Sequence, residues 1–126
     1  MIKIIAEGLF IGFYNIIIYF FIHLFTNNLI IQLFLTGFFK HYLGYFTGIQ
    51  DYYCKINKNN QNYSSKPTNI ILESLLEGFL FIYIGFLISL LIKNRYLLFF
   101  ILGFFIHIIA EFFGIHYLFL LYNCKK

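Results

Sequence analysis

The chain has 126 residues, of which 61% are hydrophobic and 11% are charged, and its formal net charge is +4. Small water-soluble domains are about half apolar and about a quarter charged, so this composition excludes an ordinary soluble globular protein. A mean hydropathy of +0.81 favours an integral membrane protein. The sequence holds no phosphate-binding loop, no nucleophile beside a base and no basic nucleic-acid patch, so we predict neither an enzyme nor a nucleic-acid-binding protein.

Four apolar segments follow one another along the chain, and each is long enough to form a membrane-spanning helix. About 20 helical residues cross a hydrocarbon core about 30 Å thick. The predicted helices cover residues 4–25, 29–49, 70–92 and 96–121. The first segment differs from a secretory signal because its apolar stretch is too long, contains Glu7 and precedes no small-residue cleavage site. We expect it to be retained.

Short polar connections join these helices in pairs. Residues 26–28 and 93–95 are brief enough to make helical hairpins. Residues 55–68 are rich in Asn, Ser and Lys and contain the only Pro, which predicts a solvated linker. The predicted organisation is a first transmembrane hairpin over residues 1–54, the polar linker, and a second hairpin over residues 69–126.

The two hairpins share one sequence pattern. At a constant offset of 66, residues 3–50 align with residues 69–116, and about 20 of the 48 pairs are identical against roughly five expected from the composition. The second copy re-enters the membrane in the same direction as the first, so the repeats are parallel. We predict an all-α fold, an integral membrane four-helix bundle made of two tandemly duplicated transmembrane hairpins.

The lysines indicate an orientation for this multi-pass topology, in which both termini and the linker share one side. That side carries Lys3, Lys55, Lys58, Lys66, Lys125 and Lys126. The opposite side carries Lys93 and Arg95. The positive-inside rule therefore predicts cytoplasmic N- and C-termini. The predicted partner is the lipid bilayer, whose anionic headgroups attract the lysines, with the chain itself and other membrane proteins as further candidates.

One phrase, Gly-Phe-Phe-x-His, occurs at residues 37–41 and again at residues 103–107, within the return helix of each hairpin. Small residues at a spacing of three or four lie along one helical stripe and let helix backbones approach each other in a membrane. We predict that helix packing uses Gly12, Gly37, Gly44, Gly48, Gly78, Gly103, Ala110 and Gly114.

Ionisable residues lie on or beside these stripes and form a candidate intramembrane polar cluster. The candidates are Glu7, His41, Glu73, Glu77, His107 and Glu111. Charged groups inside a membrane are costly unless they are paired or hydrated, and they mark functional sites by default. Helix geometry allows Glu77, His107 and Glu111 to meet. Two interpretations stay open, because such groups can hydrogen-bond across helices and fix their packing, or they can form a proton or ion path.

A metal or haem site is a third interpretation, with His41 and His107 as the symmetry-related ligands. No two-carboxylate-plus-histidine spacing is repeated in both halves. We therefore predict no metal and no cofactor.

Two cysteines, Cys54 and Cys124, follow the return helices on the predicted cytoplasmic side. A reducing compartment argues against a stable disulfide, and two cysteines alone do not make a zinc site. We expect free thiols, with acylation of these juxtamembrane cysteines as the candidate modification.

Residues 35–41 and 48–54 resemble a motif of short transmembrane proteins of giant nucleocytoplasmic DNA viruses. That motif reads Thr-Gly-Phe, a His four residues after the Gly, a Glu four further on, and then Gly-Ile-Asn-x-Trp-Tyr-Cys. The first copy departs at Tyr45, where the motif has Glu, and at Gln50 and Tyr52, where it has Asn and Trp. The second keeps Glu111 and loses the Asn-x-Trp-Tyr-Cys ending, with His116 in the place of the Asn and Cys124 displaced. The resemblance implies a viral origin and a virion or host membrane as the address.

We therefore predict a non-enzymatic polytopic viral membrane protein that acts as a structural or assembly component of a virion or of a virus-modified membrane. The alternative is a small ion- or proton-conducting membrane protein that uses the intramembrane cluster.

Overall fold

The computed structural model describes residues 2–67 and 69–126, and these residues form six helices and one two-stranded sheet. The elements are α1 (Ile2–His23), α2 (Leu29–Phe46), α3 (Ile49–Lys58), β1 (Ser64–Ser65), α4 (Ile70–Ser89), α5 (Arg95–Phe112), α6 (Ile115–Asn123) and β2 (Cys124–Lys125). The predicted helical fold class is confirmed. Thr68, the last residue of the predicted linker, lies outside the described residues.

Three helices, α1, α4 and α5, are long and apolar enough to cross a membrane. Many large apolar side chains on these helices are exposed in the structure, among them Phe13, Phe79 and Phe112 at 60%, 60% and 71%. Such a surface is unfavourable in water and favourable against lipid tails. The membrane class predicted from composition therefore agrees with the structure.

Asparagine side chains cap the N-termini of α2, α4 and α5. Asn28, Asn69 and Asn94 each accept a hydrogen bond from a backbone N–H three residues on, at 3.1, 3.0 and 3.1 Å. These bonds satisfy N–H groups that have no partner within the helix. The two hairpin turns therefore end on the same capping residue, Asn28 and Asn94, at positions 66 apart.

The two return segments each contain a break that the sequence analysis did not predict. Gly48 and Gly114 have φ of 83° and 75°, a left-handed conformation that ends α2 and α5 and starts α3 and α6. Glycine adopts it without the steric cost that a Cβ brings. The helix expected over residues 29–49 thus ends at Phe46, the helix expected over residues 96–121 is divided into α5 and α6, and α3 extends into the predicted linker.

The helices pack across the two hairpins. The main partner of α1 is α5, and the main partner of α2 is α4. Glycines allow both contacts, since a Cβ at Gly37 would lie 2.8 Å from the carbonyl oxygen of Glu77, and a Cβ at Gly103 would lie 3.1 Å from that of Ile11. Ile11 and Glu77 are also 66 positions apart, so equivalent residues make equivalent contacts.

Different contacts hold the chain together at the two ends of the molecule. At one end the hairpin turns meet, because Arg95 donates hydrogen bonds to the carbonyl of Asn27 at 2.8 Å and to Gln32 Oε1 at 2.6 Å. At the other, called here the linker end, Lys3 donates to Asn57 Oδ1 at 3.0 Å. The antiparallel pairing of β1 with β2 holds the C-terminal segment at that same end.

A disulfide joins Cys54 to Cys124, with a Cα–Cα distance of 5.4 Å. The expectation of free thiols is wrong for this structure, and a bonded sulfur cannot be acylated. The sequence analysis placed each cysteine after a separate helix and gave no reason for them to meet. They meet because the linker folds back, where Ser65 pairs with Cys124 and the N–H of Lys66 donates to the carbonyl of Asn123 at 2.7 Å.

Candidate functional site

The first cluster of ionisable residues joins α2 to α4 and is called here the His41 network. His41 Nδ1 lies 2.9 Å from Glu77 Oε2, and Lys40 donates a hydrogen bond to the other oxygen of the same carboxylate. His41 Nε2 faces Glu73 Oε2 at 3.6 Å. Each of these side chains is at least two-thirds shielded from solvent. Apart from His41, one lysine and two carboxylates therefore carry a formal charge of −1 within the bundle.

The local sequence explains why these groups meet. His41 lies one helical turn after Gly37, whose lack of a side chain lets α2 approach the backbone of α4 at Glu77 and Gly78. Glu73 and Glu77 are four residues apart and so lie on one face of α4. Asn123 from the end of α6 donates to Glu73 Oε1 at 2.7 Å, whereas Glu73 Oε2 is buried without a hydrogen-bond partner.

The second cluster joins α1, α5 and α6 and is called here the His107 network. His107 Nε2 lies 3.1 Å from Glu7 Oε2, and His116 Nδ1 lies 2.8 Å from Glu111 Oε1. The two imidazole rings are 4.5 Å apart between centroids. His107, Glu111 and His116 each offer one metal-ligating atom within 4.8 Å of the others.

The break at Gly114 is what brings His116 into this network. His116 is the second residue of α6, and the left-handed turn directs it back toward Glu111 in the last turn of α5. Tyr53 of α3 packs against the His116 ring with a centroid distance of 5.5 Å. Burial lowers the pKa of His116 despite the neighbouring Glu111, and burial raises the pKa of the Tyr53 phenol. At neutral pH both groups are therefore uncharged.

A cavity of about 390 Å³ lies between the two networks at the linker-end half of the bundle. Its polar lining comes from both halves of the chain and comprises Tyr14, Lys40, His41, Gln50, Tyr53, Glu77, His107 and His116. Apolar residues such as Ile11, Leu80 and Ile106 form the rest of its wall. A space of this size with ionisable walls can admit water or a small cation.

The predicted cluster of Glu77, His107 and Glu111 is divided in the structure. His107 and Glu111 lie together, whereas Glu77 belongs to the His41 network and shares only the cavity with His107. Glu7, Glu73 and His41 lie in one network or the other. All six predicted residues are therefore used, in two sites instead of one.

Two important residues were missed by the sequence analysis. Lys40 precedes the repeated histidine and pairs with Glu77, a partnership that depends on the α2–α4 contact. His116 lies past Gly114 and was expected to continue the spanning helix. The spacing of four and five residues between His107, Glu111 and His116 was the available signal, but an unbroken helix would have carried His116 onward and away from Glu111.

The predicted small residues divide into two roles. Gly12 and Gly78 pack against Phe100 and Phe34, where an added Cβ would come within 2.8 Å of the ring in each case. A Cβ at Gly48 or Gly114 would contact nothing within 4 Å. These last two glycines are therefore turn residues.

The remaining predicted positions agree with close packing to different degrees. Gly37 and Gly103 lie at backbone contacts, and Ala110 is buried. A Cβ at Gly44 would lie 3.7 Å from Gln50 Nε2, an ordinary contact. Gly44 is therefore not required for close approach.

Comparisons with protein-family models, with curated proteins and with solved structures find no match to this chain.

Proposed function

We propose that this chain is a non-enzymatic structural component of a membrane, built from two duplicated hairpins with four spanning helices. The duplication is supported by the equivalent glycine contacts of the α1–α5 and α4–α2 pairs. It is also supported by the matching asparagine caps and glycine breaks. Insertion is supported by the three apolar helices and by the apolar outer surface.

The fourth span in this proposal is α2, which is less apolar than the others because it contains Gln32, Lys40 and His41. Its 18 residues give a length of about 27 Å at 1.5 Å per residue, close to the hydrocarbon thickness. Three of its polar side chains have protein partners, since Gln32 bonds Arg95, and Lys40 and His41 bond Glu77. The Thr36 hydroxyl and His41 Nε2 are buried in the protein without a hydrogen-bond partner. Polar groups that face protein and not lipid are compatible with a spanning helix.

The structural role rests on one observation, that the intramembrane pairs join helices of different hairpins. His41 and Lys40 on α2 hold Glu77 on α4, and His107 on α5 holds Glu7 on α1. Pairs of this kind favour one packing register over shifted alternatives, because any shift leaves a charge unpaired in the membrane. The result is a rigid four-helix unit suited to a membrane scaffold.

We propose that the protein is located in a virion or in a virus-modified host membrane, and this proposal rests on the resemblance of residues 35–54 to the viral motif. A cytoplasmic linker end is favoured by its lysines. The Cys54–Cys124 disulfide would then form after the membrane leaves the reducing cytosol, as it does in a released particle.

A second candidate function, proton or cation conduction, is favoured by the cavity of about 390 Å³ between the two networks. Histidines and carboxylates are the groups that proton relays use, and both networks border this space.

Reconstitution in liposomes tests the two functions against each other. The purified protein is compared with Glu77→Gln and His107→Ala, with pH-driven proton and cation flux recorded at pH about 5–8, the range where histidine titrates. We expect flux no greater than in empty vesicles, together with reduced detergent stability of Glu77→Gln. Wild-type flux that disappears in both variants while they remain folded would replace the structural role with a conducting one.

A further inference from the structure

We propose that His107, Glu111 and His116 form a binding site for one divalent transition-metal ion, with zinc as the best-suited metal. Two imidazoles and a carboxylate are the protein ligands of many zinc sites that keep a fourth position open. This site goes beyond the structural role of the bundle and does not depend on it.

The geometry of the ligating atoms fits such an ion. Each of the three residues offers one ligating atom, and these atoms lie within 4.8 Å of one another. Ligands of a tetrahedral zinc ion lie about 3.3 Å apart, given bond lengths of about 2.0–2.1 Å. The difference can be closed by small side-chain rotations, since the His116 and Glu111 side chains are 21% and 24% exposed and His116 lines the cavity.

The charge of the site also fits a divalent cation. Glu7 and Glu111 are the carboxylates of the His107 network, and two neutral imidazoles add no charge, so their formal charges sum to −2. Lys3 lies 4.0 Å from Glu7 and is more than half exposed, which weakens its effect on the site. Lys40 also lines the cavity, but Glu77 neutralises it.

Surrounding residues supply the outer contacts that metal-binding histidines usually have. Glu7 Oε2 lies 3.1 Å from His107 Nε2, so a proton on that nitrogen is shared with Glu7 and the other ring nitrogen can bind the ion. Tyr53 packs edge-on against His116 and limits its ring rotation. The cavity beside His107 and His116 provides room for the fourth ligand, a water molecule or a small anion.

The first repeat provides an internal contrast. Its positions equivalent to His107, Glu111 and His116 are His41, Tyr45 and Gln50. Gln50 donates its amide to the carbonyl of His41 at 3.1 Å and does not offer a nitrogen ligand. The site is therefore predicted to occur once per chain.

Zinc titration of the full chain tests the proposal. The protein is purified in detergent, stripped with a chelator and titrated with Zn²⁺ by calorimetry, and cobalt is then bound so that its visible absorption reports tetrahedral coordination. We expect one ion per chain. His107→Ala, Glu111→Gln and His116→Ala should each weaken binding by more than about 100-fold, and Glu7→Gln by about 10- to 100-fold.

Two substitutions serve as matched controls. His23→Ala removes a histidine at the opposite end of α1, and Tyr45→Phe changes the first-repeat equivalent of Glu111. Both should bind one ion with wild-type affinity. Size-exclusion profiles establish which variants fold, and His107→Gln and His116→Gln replace either alanine variant that does not.

The outcomes are decisive in both directions. One zinc ion bound per chain, lost in the three ligand variants and kept in the two control variants, supports the site. No bound zinc in the wild type, or zinc that persists in all three ligand variants, overturns it. Because Glu77→Gln leaves these ligands unchanged, its zinc binding should be normal even if its stability is not, which separates this site from the structural proposal.

Discussion

The two repeats place a histidine at the same position and surround it differently. His41 shares its carboxylate with Lys40, whereas His107 lies beside a second imidazole, that of His116. The backbone around the two histidines is equivalent, with a glycine one turn before each and a left-handed glycine after each return helix. Matching glycines thus accompany both histidines, whereas the side chains beside them differ, and these decide whether the histidine lies near a lysine–carboxylate pair or near a second imidazole.

The same comparison applies to the middle of the outgoing helices. Asn15 in α1 is fully buried and donates to the carbonyl of Phe99 at 3.0 Å. Its equivalent in α4 is Phe81, which is also fully buried and fills the corresponding position with an apolar ring. A polar and an apolar residue thus occupy equivalent contacts next to Gly103 and Gly37.

The largest expected difference between the repeats is the response to loss of one carboxylate. Glu77→Gln leaves Lys40 without its charge partner inside the bundle, and we expect the free energy of unfolding to fall by about 3–5 kcal/mol. Glu7→Gln keeps a hydrogen-bonding group beside His107 and should cost about 1 kcal/mol or less. Thermal unfolding in detergent measures both. Equal losses of unfolding free energy in Glu77→Gln and Glu7→Gln would contradict the expected difference between the His41 and His107 networks.

The disulfide links an element of the first repeat to the segment that follows the second. Its sulfur atoms close a loop with a sequence separation of 70, so Cys54→Ser should lower the free energy of unfolding by roughly 2–4 kcal/mol. Denaturant titration with and without reductant measures this loss. Maleimide should label neither cysteine in the oxidised wild type and one in Cys54→Ser. Full labelling of the unreduced, folded wild type would contradict the bond.

Packing glycines should respond alike in the two repeats. Gly12→Leu and Gly78→Leu each push a side chain into a phenylalanine ring, Phe100 or Phe34, and should each cost about 1–3 kcal/mol. Gly44→Ala is the control, since its Cβ has room, and it should be close to neutral. Stability curves in one detergent compare the three. A large loss at only one of Gly12 and Gly78 would argue against equivalent helix pairs.

Much of this organisation could be predicted from the sequence, because it depends on local chemistry. Long apolar runs indicate spanning helices, Gly37 and Gly103 indicate close approach, and the offset of 66 pairs equivalent contacts. The break at Gly114 was missed because an apolar segment continues past it. Gly48 lies at the end of an apolar run, before Gln50 and Asp51, and its turn was missed because glycine serves packing and turns alike. The left-handed φ of both glycines depends on tertiary structure.

Partnerships between distant residues were the least predictable part. From the sequence we expected Glu77 to lie near His107. In the structure α2 packs on α4, and Glu77 therefore pairs with His41 and Lys40. The disulfide was missed for a related reason, since it depends on the linker folding back to pair β1 with β2.

A double-mutant cycle on Lys40 and Glu77 tests the central claim that buried pairs between hairpins hold the bundle together. Unfolding free energies are measured in detergent for Lys40→Met, Glu77→Gln and the double variant, with the Lys3–Glu7 pair, whose lysine is 56% exposed, as the control cycle. We expect the double variant to recover much of the stability lost in Glu77→Gln, because no unpaired charge remains. The coupling energy of the control pair should be below about 1 kcal/mol. A double variant that loses the sum of the two single effects would contradict the claim.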